Sequence, residues 1–165
     1  MPRSKHMKQK MPKEKELLDA ANEATEKYKI KEALQNYNNL LDIYTSTNDA
    51  ESMCDVYSKL GKIFYHMTEY QQAIVREISV LKIYEMGLRP MSHRVVQSYS
   101  KLGLYEMVIG NRNRALYFLH KSLLLMLINY GETYPDILVT LANIARIYQQ
   151  DKEFNNAVNC YLKAL

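Results

Sequence analysis

The sequence contains no apolar run long enough to cross a lipid bilayer. The stretch LYFLHKSLLLMLI at residues 116–128 is interrupted by His120, Lys121 and Ser122. The N-terminus is charged throughout and has no apolar centre, so we expect no secretory signal. These two features favour a soluble protein over a membrane-spanning or secreted one.

Cysteine and glycine are scarce, with two and five residues respectively. Cys54 and Cys160 lack CxxC spacing and fall in segments with a helical pattern. Together with the missing secretory signal, this favours a reducing cytosolic compartment and two structural thiols. The glycines fall at helix-packing or helix-capping positions, so none of them indicates a nucleotide-binding loop.

No metal-ligand spacing, phosphate-binding loop or nucleophile motif is present. His66, His93 and His120 are isolated, without an HExxH motif or a second ligand at a suitable spacing. We therefore expect a protein that is not an enzyme and that holds no cofactor and no metal.

Charge is unevenly distributed along the chain, which has 22 basic and 18 acidic residues and a net charge of +4. Outside residues 1–16 the two signs balance, and the excess belongs to the N-terminal segment, whose basic residues are Arg3, Lys5, Lys8, Lys10, Lys13 and Lys15. We expect residues 1–13 to form a disordered basic tail. Such a tail is either a solvated leader or a weak electrostatic contact for RNA, the ribosome or an anionic membrane.

A helical pattern of small and large apolar residues repeats along the chain. Gly61, Gly103 and Ala145 recur at one constant interval, the repeat period, and the alanines at positions 73, 115 and 157 follow the same period. A fainter copy lies roughly one period further upstream, at Ala21 and Ala33. Large apolar, small and aromatic residues in this order are typical of the tetratricopeptide (TPR) repeat.

The repeats predict an all-α fold, a right-handed α–α superhelix of about four helix pairs. We expect a TPR domain over residues 14–165, with repeats near 14–47, 50–88, 91–130 and 134–165. The last repeat stops inside a helix at Leu165 and exposes an apolar face. We therefore expect either a longer protein or a partner that covers this face, including self-association through the C-terminal helix.

Local signals predict where helices begin and end. Gly110 suits a left-handed helix C-terminus, and Asn111 is a candidate cap for the next helix. Asn48, with Glu51 three residues later, resembles a capping box.

The repeat resembles a particular class of TPR. The segment ALYFLHKSLLLMLINYGETYPDILVTLANIARIYQ, at residues 115–149, is similar to the long repeats of the clustered mitochondria (Clu) family and of kinesin light chain. Tyr134 stands where that pattern usually has histidine. The resemblance implies a non-enzymatic cytosolic protein, linked to mitochondrial distribution and to translation or mRNAs of mitochondrial proteins.

The first helix of each TPR pair faces the concave groove, so its polar residues are the candidate binding residues. Lys59, Lys101 and Asn143 occupy equivalent positions in successive repeats and should form a row along this groove. The complete predicted set is Ser58, Lys59, Lys62, Tyr65, Ser100, Lys101, Asn143, Arg146 and Gln149. The resemblance implies that an asparagine here holds the backbone of a bound peptide, and the basic residues favour an acidic peptide.

Three interpretations remain open from the sequence. In the first, the chain is a protein-interaction module that binds a partner peptide in its groove. In the second, it associates with RNA or the ribosome through the basic tail together with Lys59, Lys62, Lys101 and Arg146. In the third, its role is purely structural, and its ends pair with another chain or copy.

Overall fold

The computed structural model describes residues 12–85 and 92–150, together with positions 152, 155–157 and 159. This part of the chain is helical, contains no strand, and confirms the predicted all-α fold. The helices with defined bounds are α1 (Pro12–Glu26), α2 (Ile30–Ser46), α3 (Ala50–His66), α4 (Tyr70–Ile83), α5 (His93–Val108), α6 (Arg112–Tyr130) and α7 (Asp136–Gln150).

The chain divides into two compact units, Met1–Val56 and Tyr57–Leu165. Helices α1 and α2 belong to the first unit, and α4 to α7 belong to the second. The division falls within α3, whose C-terminal part from Tyr57 onward belongs to the second unit.

Small residues allow α1 and α2 to pack closely in the first unit. Ala21 and Ala33 have no exposed surface, in agreement with the repeat pattern. The side chain of Tyr37 is also buried, and its hydroxyl donates a hydrogen bond to Asn22 Oδ1 at 2.9 Å. Helix α1 begins at Pro12, which suits a first helical position because proline lacks the N–H that has no partner there.

The second unit repeats the same packing with the predicted period. Ala73, Ala115 and Ala145 are fully buried, and Gly103 lies so close to α6 that an added Cβ would be 2.6 Å from Leu119 Cγ. These contacts confirm the predicted small positions. Aliphatic side chains of α5, α6 and α7 fill the space between the helices, in clusters that contain Val96, Met126, Ile137 and Leu141 and then Ala115, Leu119, Ile144 and Ile147.

A left-handed residue follows the first helix of each pair. These residues are Tyr28, Thr68, Gly110 and Lys152, all with φ between 56° and 82°. At Thr68 the turn is closed by a bond from Glu69 N–H to Phe64 O at 2.9 Å, the six-residue bond of a Schellman motif. The prediction of a left-handed end at Gly110 is confirmed, although the other turns reach the same geometry without glycine.

We expect Thr68→Gly to raise the free energy of unfolding by about 1 kcal/mol. A β-branched residue is strained at positive φ, whereas glycine adopts this conformation at little steric cost. Chemical denaturation measures the change. The reciprocal variant Gly110→Thr, in the equivalent turn of the next repeat, should lower the free energy of unfolding by a similar amount. A loss of stability in Thr68→Gly would contradict this interpretation of the turn.

Two predicted caps differ from the observed ones. Asn48 takes a left-handed conformation (φ 52°), and Asp49 caps α3 instead, because its Oδ1 accepts a hydrogen bond from Ser52 N–H at 3.3 Å. Asn111 precedes α6, but its side-chain amide donates to Glu106 Oε2 at 2.8 Å and makes no capping bond. The Glu106 carboxylate is fully buried, so leaving it without this donor would cost more free energy than leaving the helix end to be solvated by water.

Some predictions lie outside the described residues. They concern most of the basic tail with Arg3, Lys5, Lys8 and Lys10, residues 86–91 between the second and third pairs, Cys160, and the end of the last repeat at Leu165. Self-association through the C-terminal helix therefore stays a prediction. Among the described helices, none is long and apolar enough to span a membrane.

Candidate functional site

Helices α3, α5 and α7 line one cleft of about 580 Å³ within the second unit. Their side chains meet there because these helices are the first members of successive repeats and present equivalent positions to the same side. The cleft is lined by Ser58, Lys59, Lys62, His93, Arg94, Val96, Gln97, Ser100, Lys101, Leu104, Leu119, Asp136, Val139, Thr140 and Asn143.

The structure brings together six of the nine predicted site residues, namely Ser58, Lys59, Lys62, Ser100, Lys101 and Asn143. The remaining three do not line the cleft. Tyr65 stacks on Tyr105 with ring centroids 5.0 Å apart, so it contributes to packing between helices. Arg146 and Gln149 lie elsewhere on α7, and both are exposed.

The cleft also includes residues that the sequence reasoning missed. Arg94 and Asp136 are equivalent positions of successive repeats, as are Gln97 and Val139. Both pairs precede the predicted row by one or two helical turns. The same period would have identified them, had it been applied along the whole face of each helix and not only beside the small residue.

Lys101 is the counterion of a buried carboxylate. Its Nζ lies 2.7 Å from Glu77 Oε1 and donates a second hydrogen bond to Ser58 Oγ at 3.1 Å. The hydroxyl of Ser98 donates to the other carboxylate oxygen, Glu77 Oε2, at 2.9 Å. The Glu77 side chain is completely buried, whereas 22% of the Lys101 side chain is exposed. Lys101 therefore belongs in part to the interior, which the sequence reasoning did not foresee.

The buried position of Glu77 changes its acidity. Burial raises the pKa of the Glu77 carboxyl above its usual value, because the ionised form loses its hydration. The positive charge and hydrogen bond of Lys101, the Ser98 hydroxyl and the charge of Lys62 oppose this rise in pKa without cancelling it.

This raised pKa predicts a pH dependence of stability. The folded protein binds the Glu77 proton more tightly than the unfolded chain, so the stabilisation is fully present below the ordinary value of 4.5 and is lost as the pH rises through the folded pKa. We expect Glu77→Gln, which cannot titrate, to gain stability relative to wild type between about pH 4 and pH 7. Urea unfolding at both pH values measures this, and a constant or opposite difference would contradict it.

Basic residues outnumber acidic ones among the side chains that line the cleft. Lys59, Lys62 and Arg94 line it together with Lys101, whose charge is balanced by Glu77. Asp136 is the single acidic residue among those that line the cleft. The sequence of the second unit as a whole contains more basic than acidic residues. An acidic ligand would therefore be attracted to this cleft.

Asn143 offers an amide to the cleft. Within the described residues its side chain makes no hydrogen bond, and it is partly exposed at the cleft surface. Gln97, on the neighbouring helix α5, is occupied by a contact of 2.9 Å between its Nε2 and His93 Nε2. A side-chain amide can donate and accept at once, as recognition of a peptide group requires.

The cleft also has apolar surface and adjoining aromatic rings. Leu104 and Val139 supply aliphatic contact, and 61% of the Val139 residue is exposed. His93, which lines the cleft, makes edge-to-face contacts with two stacked tyrosines, Tyr130 and Tyr134, whose centroids are 4.5 Å apart. The combination of cations, side-chain amides and aliphatic surface suits a peptide better than a small polar molecule.

The described residues offer no alternative site for metal chemistry, since no group of three or more histidine, cysteine or acidic side chains could hold an ion there.

A family profile described as "Tetratricopeptide repeat" matches residues 139–165. This match lies in the last predicted repeat and agrees with the TPR pattern predicted there.

Two solved structures share the TPR fold of this chain. BtubC (BKLC) from P. vanneervenii has a TM-score of 0.80 at 19% identity, over 96% of this chain and 65% of its own. A Podosopora anserina protein, described as a putative kinesin light chain with nearly identical TPR-like repeats, has a TM-score of 0.75 at 17% identity, over 94% of this chain and 75% of its own. At this level of identity the likeness establishes the fold.

Curated relatives carry the name "Clustered mitochondria protein homolog". The relative from Aspergillus oryzae is 28% identical over 102 residues, which is 62% of this chain. The relative from Ajellomyces capsulatus is 28% identical over 99 residues, or 60% of this chain. Each match spans about 8% of the relative's length. The predicted resemblance of the TPR region to Clu proteins and to kinesin light chain is confirmed.

Proposed function

We propose that the cleft binds an extended acidic segment of a partner protein, and that the chain acts as a non-catalytic adaptor. The observation that carries this proposal is the position of the Asn143 amide beside Lys59, Lys62 and Arg94 in one cleft. These groups match the two features common to acidic peptides, a polar backbone and carboxylate side chains.

The amide of Asn143 supports binding in an extended conformation. An extended segment leaves its backbone N–H and C=O groups available, and a side-chain amide can bond to both. Asn143 lines the cleft, and within the described residues no hydrogen bond of its side chain competes with one to a peptide.

The charges of the cleft support an acidic partner. Among the lining side chains, the cations of Lys59, Lys62 and Arg94 outnumber the single carboxylate of Asp136, which favours a ligand that carries carboxylates. The same excess of positive charge would accelerate encounter with an acidic segment and repel a basic one. The aliphatic surface at Leu104 and Val139 would add contact for an apolar residue within that segment.

We also propose, on the likeness to Clustered mitochondria proteins, that the protein acts in the cytoplasm, in mitochondrial distribution and in translation of mRNAs for mitochondrial proteins. The relatives are much longer than this chain, and their name refers to whole proteins. In such a role, the TPR region would supply the partner-binding part.

The competing function is association with RNA or the ribosome. It is favoured by the excess of basic over acidic residues in the second unit and by the basic residues at the N-terminus. Binding of that kind would depend on phosphate contacts and fall steeply with salt, whereas the amide of Asn143 would matter little.

A pull-down with and without RNase tests the proposal. The test variant is Lys62→Ala/Asn143→Ala, which removes two cleft groups and leaves Lys101 to pair with Glu77. The control is Arg146→Ala/Gln149→Ala, since these residues lie on α7 but do not line the cleft. We expect to recover partner proteins that remain bound after RNase treatment. These proteins should bind the control variant as they bind wild type, and should bind the test variant at least tenfold more weakly. Partners that disappear with RNase, whichever variant is used, would replace the adaptor function with the RNA function.

A further inference from the structure

Helix α6 has a second apolar face, directed away from the core. Ala115, Leu119 and Met126 point inward and are buried. On the opposite side, Tyr117, Leu124 and Ile128 are each more than half exposed. Their spacings of seven and four positions place them on one stripe, about 16 Å long at the helical rise. A helix that is apolar on two faces has more apolar surface than its own fold uses.

The other repeats show that the fold does not require this apolar face. In α4 and the residues that follow it, the positions one repeat period before Leu124 and Leu127 are occupied by Lys82 and Glu85, both exposed. The position equivalent to Leu124 in α2 is Asp42, and it is also exposed. Helices with the same place in their repeats therefore fold with charged residues here. Contiguous exposed apolar residues of this kind mark interaction sites.

The charges on α6 are all of one sign. Its sequence includes Arg112, Arg114 and Lys121 and no acidic residue. Arg114 lies 2.8 Å from the buried Glu106, whereas Lys121 has no acidic partner within the described residues. Lys121 instead lies over the ring of Tyr117, with Nζ 5.8 Å from the centroid. The exposed face of α6, comprising Tyr117, Lys121, Leu124, Leu127 and Ile128, thus combines apolar surface with a cation held in a defined position.

We propose that this exposed face of α6 docks an amphipathic helix of a partner protein, with acidic residues beside its apolar stripe. Two copies of α6 placed face to face would bring cations together without an anion, which disfavours a homodimer through this face. A stripe of this length matches about three turns of a partner helix. Acidic residues flanking the partner's stripe would meet Lys121.

The test uses two probe peptides of about 20 residues, long enough to be helical in isolation. Both carry the same leucine stripe, which is flanked by glutamate in one and by lysine in the other. Binding to the full chain is followed by amide chemical shifts. The variant Leu124→Lys/Leu127→Glu places on α6 the residues found at the equivalent positions of the preceding repeat, and so should preserve folding. The second variant, Lys121→Glu, reverses the charge.

We expect the glutamate-flanked peptide to perturb the amides of α6 and to bind either variant at least tenfold more weakly. The cleft variant Lys62→Ala/Asn143→Ala should bind this peptide as wild type does, which separates the two surfaces. The proposal is overturned if the peptide does not bind, if the lysine-flanked peptide binds equally well, or if the shifts map to the cleft. It is also overturned if the exposed face mediates dimerisation in sedimentation, or if vesicles with phosphatidylserine bind this face while the peptide does not.

Discussion

Lys101→Met should lower the free energy of unfolding by about 3 kcal/mol, as is typical when one partner of a buried ion pair is removed. The variant would leave the Glu77 carboxylate inside the protein with the Ser98 hydroxyl as its remaining close donor among the described residues. The part of Lys101 that is exposed lets water screen the pair, so we expect a value at the lower end of the usual range. Urea denaturation at neutral pH measures the change.

The variant Glu77→Gln in the Lys101→Met background provides the control. Glutamine has no charge to leave unpaired, and its side-chain oxygen can still accept the bond from Ser98. At least half of the lost stability should therefore return. If the double variant is as unstable as Lys101→Met alone, the loss comes from packing and not from the unpaired charge.

Gly103→Ala should lower the free energy of unfolding by about 2 kcal/mol. The added Cβ would lie 2.6 Å from Leu119 Cγ and 2.7 Å from Leu119 Cδ2, which forces α5 and α6 apart or the leucine out of its rotamer. Alanine is favoured over glycine by about 1 kcal/mol in a helix, so a net loss means that the steric cost outweighs this gain. Chemical denaturation measures the free energy of unfolding of Gly103→Ala, both alone and combined with Leu119→Ala.

The equivalent glycine of the preceding repeat is the control. A Cβ at Gly61 would lie 3.3 Å from Glu77 Oε1, a much milder approach than the 2.6 Å contact at Gly103. We expect Gly61→Ala to remain within about 1 kcal/mol of wild type. In addition, Leu119→Ala should offset part of the Gly103→Ala cost. Equal losses at Gly61 and Gly103, or strict additivity with Leu119→Ala, would contradict the close approach of α5 and α6.

The repeat period predicted the fold because it records a packing requirement. Gly61, Gly103 and Ala145 recur once per period where adjacent helices come too close for larger side chains. The helix ends were less predictable. Asn48 and Asp49 can both cap a helix, and the choice between them depends on which one the turn places in the left-handed conformation.

The candidate site was predictable where it follows the same period and not where it depends on a distant partner. Asn143 and Lys59 line the cleft because equivalent residues of successive repeats share a face. The pairing of Lys101 depends on Glu77, which lies on a different helix, α4. A signal was present, since Glu77 interrupts the buried apolar stripe of α4 and a buried acid needs a cation. Leu119 occupies the equivalent place in α6, so the repeat pattern itself gave no indication of the pair.

Photo-cross-linking from the cleft tests its use as a protein-binding site most directly. A photoreactive phenylalanine analogue replaces Val139, which lines the cleft and is exposed, in one variant. In the control it replaces Leu138, which is half exposed on the same helix but does not line the cleft and points about 100° away. After irradiation in cell lysate, RNase-resistant protein adducts should form at position 139, fall sharply at 138 and be displaced by an acidic peptide. Adducts to RNA alone, or equal protein adducts at both positions, would contradict a peptide-binding cleft.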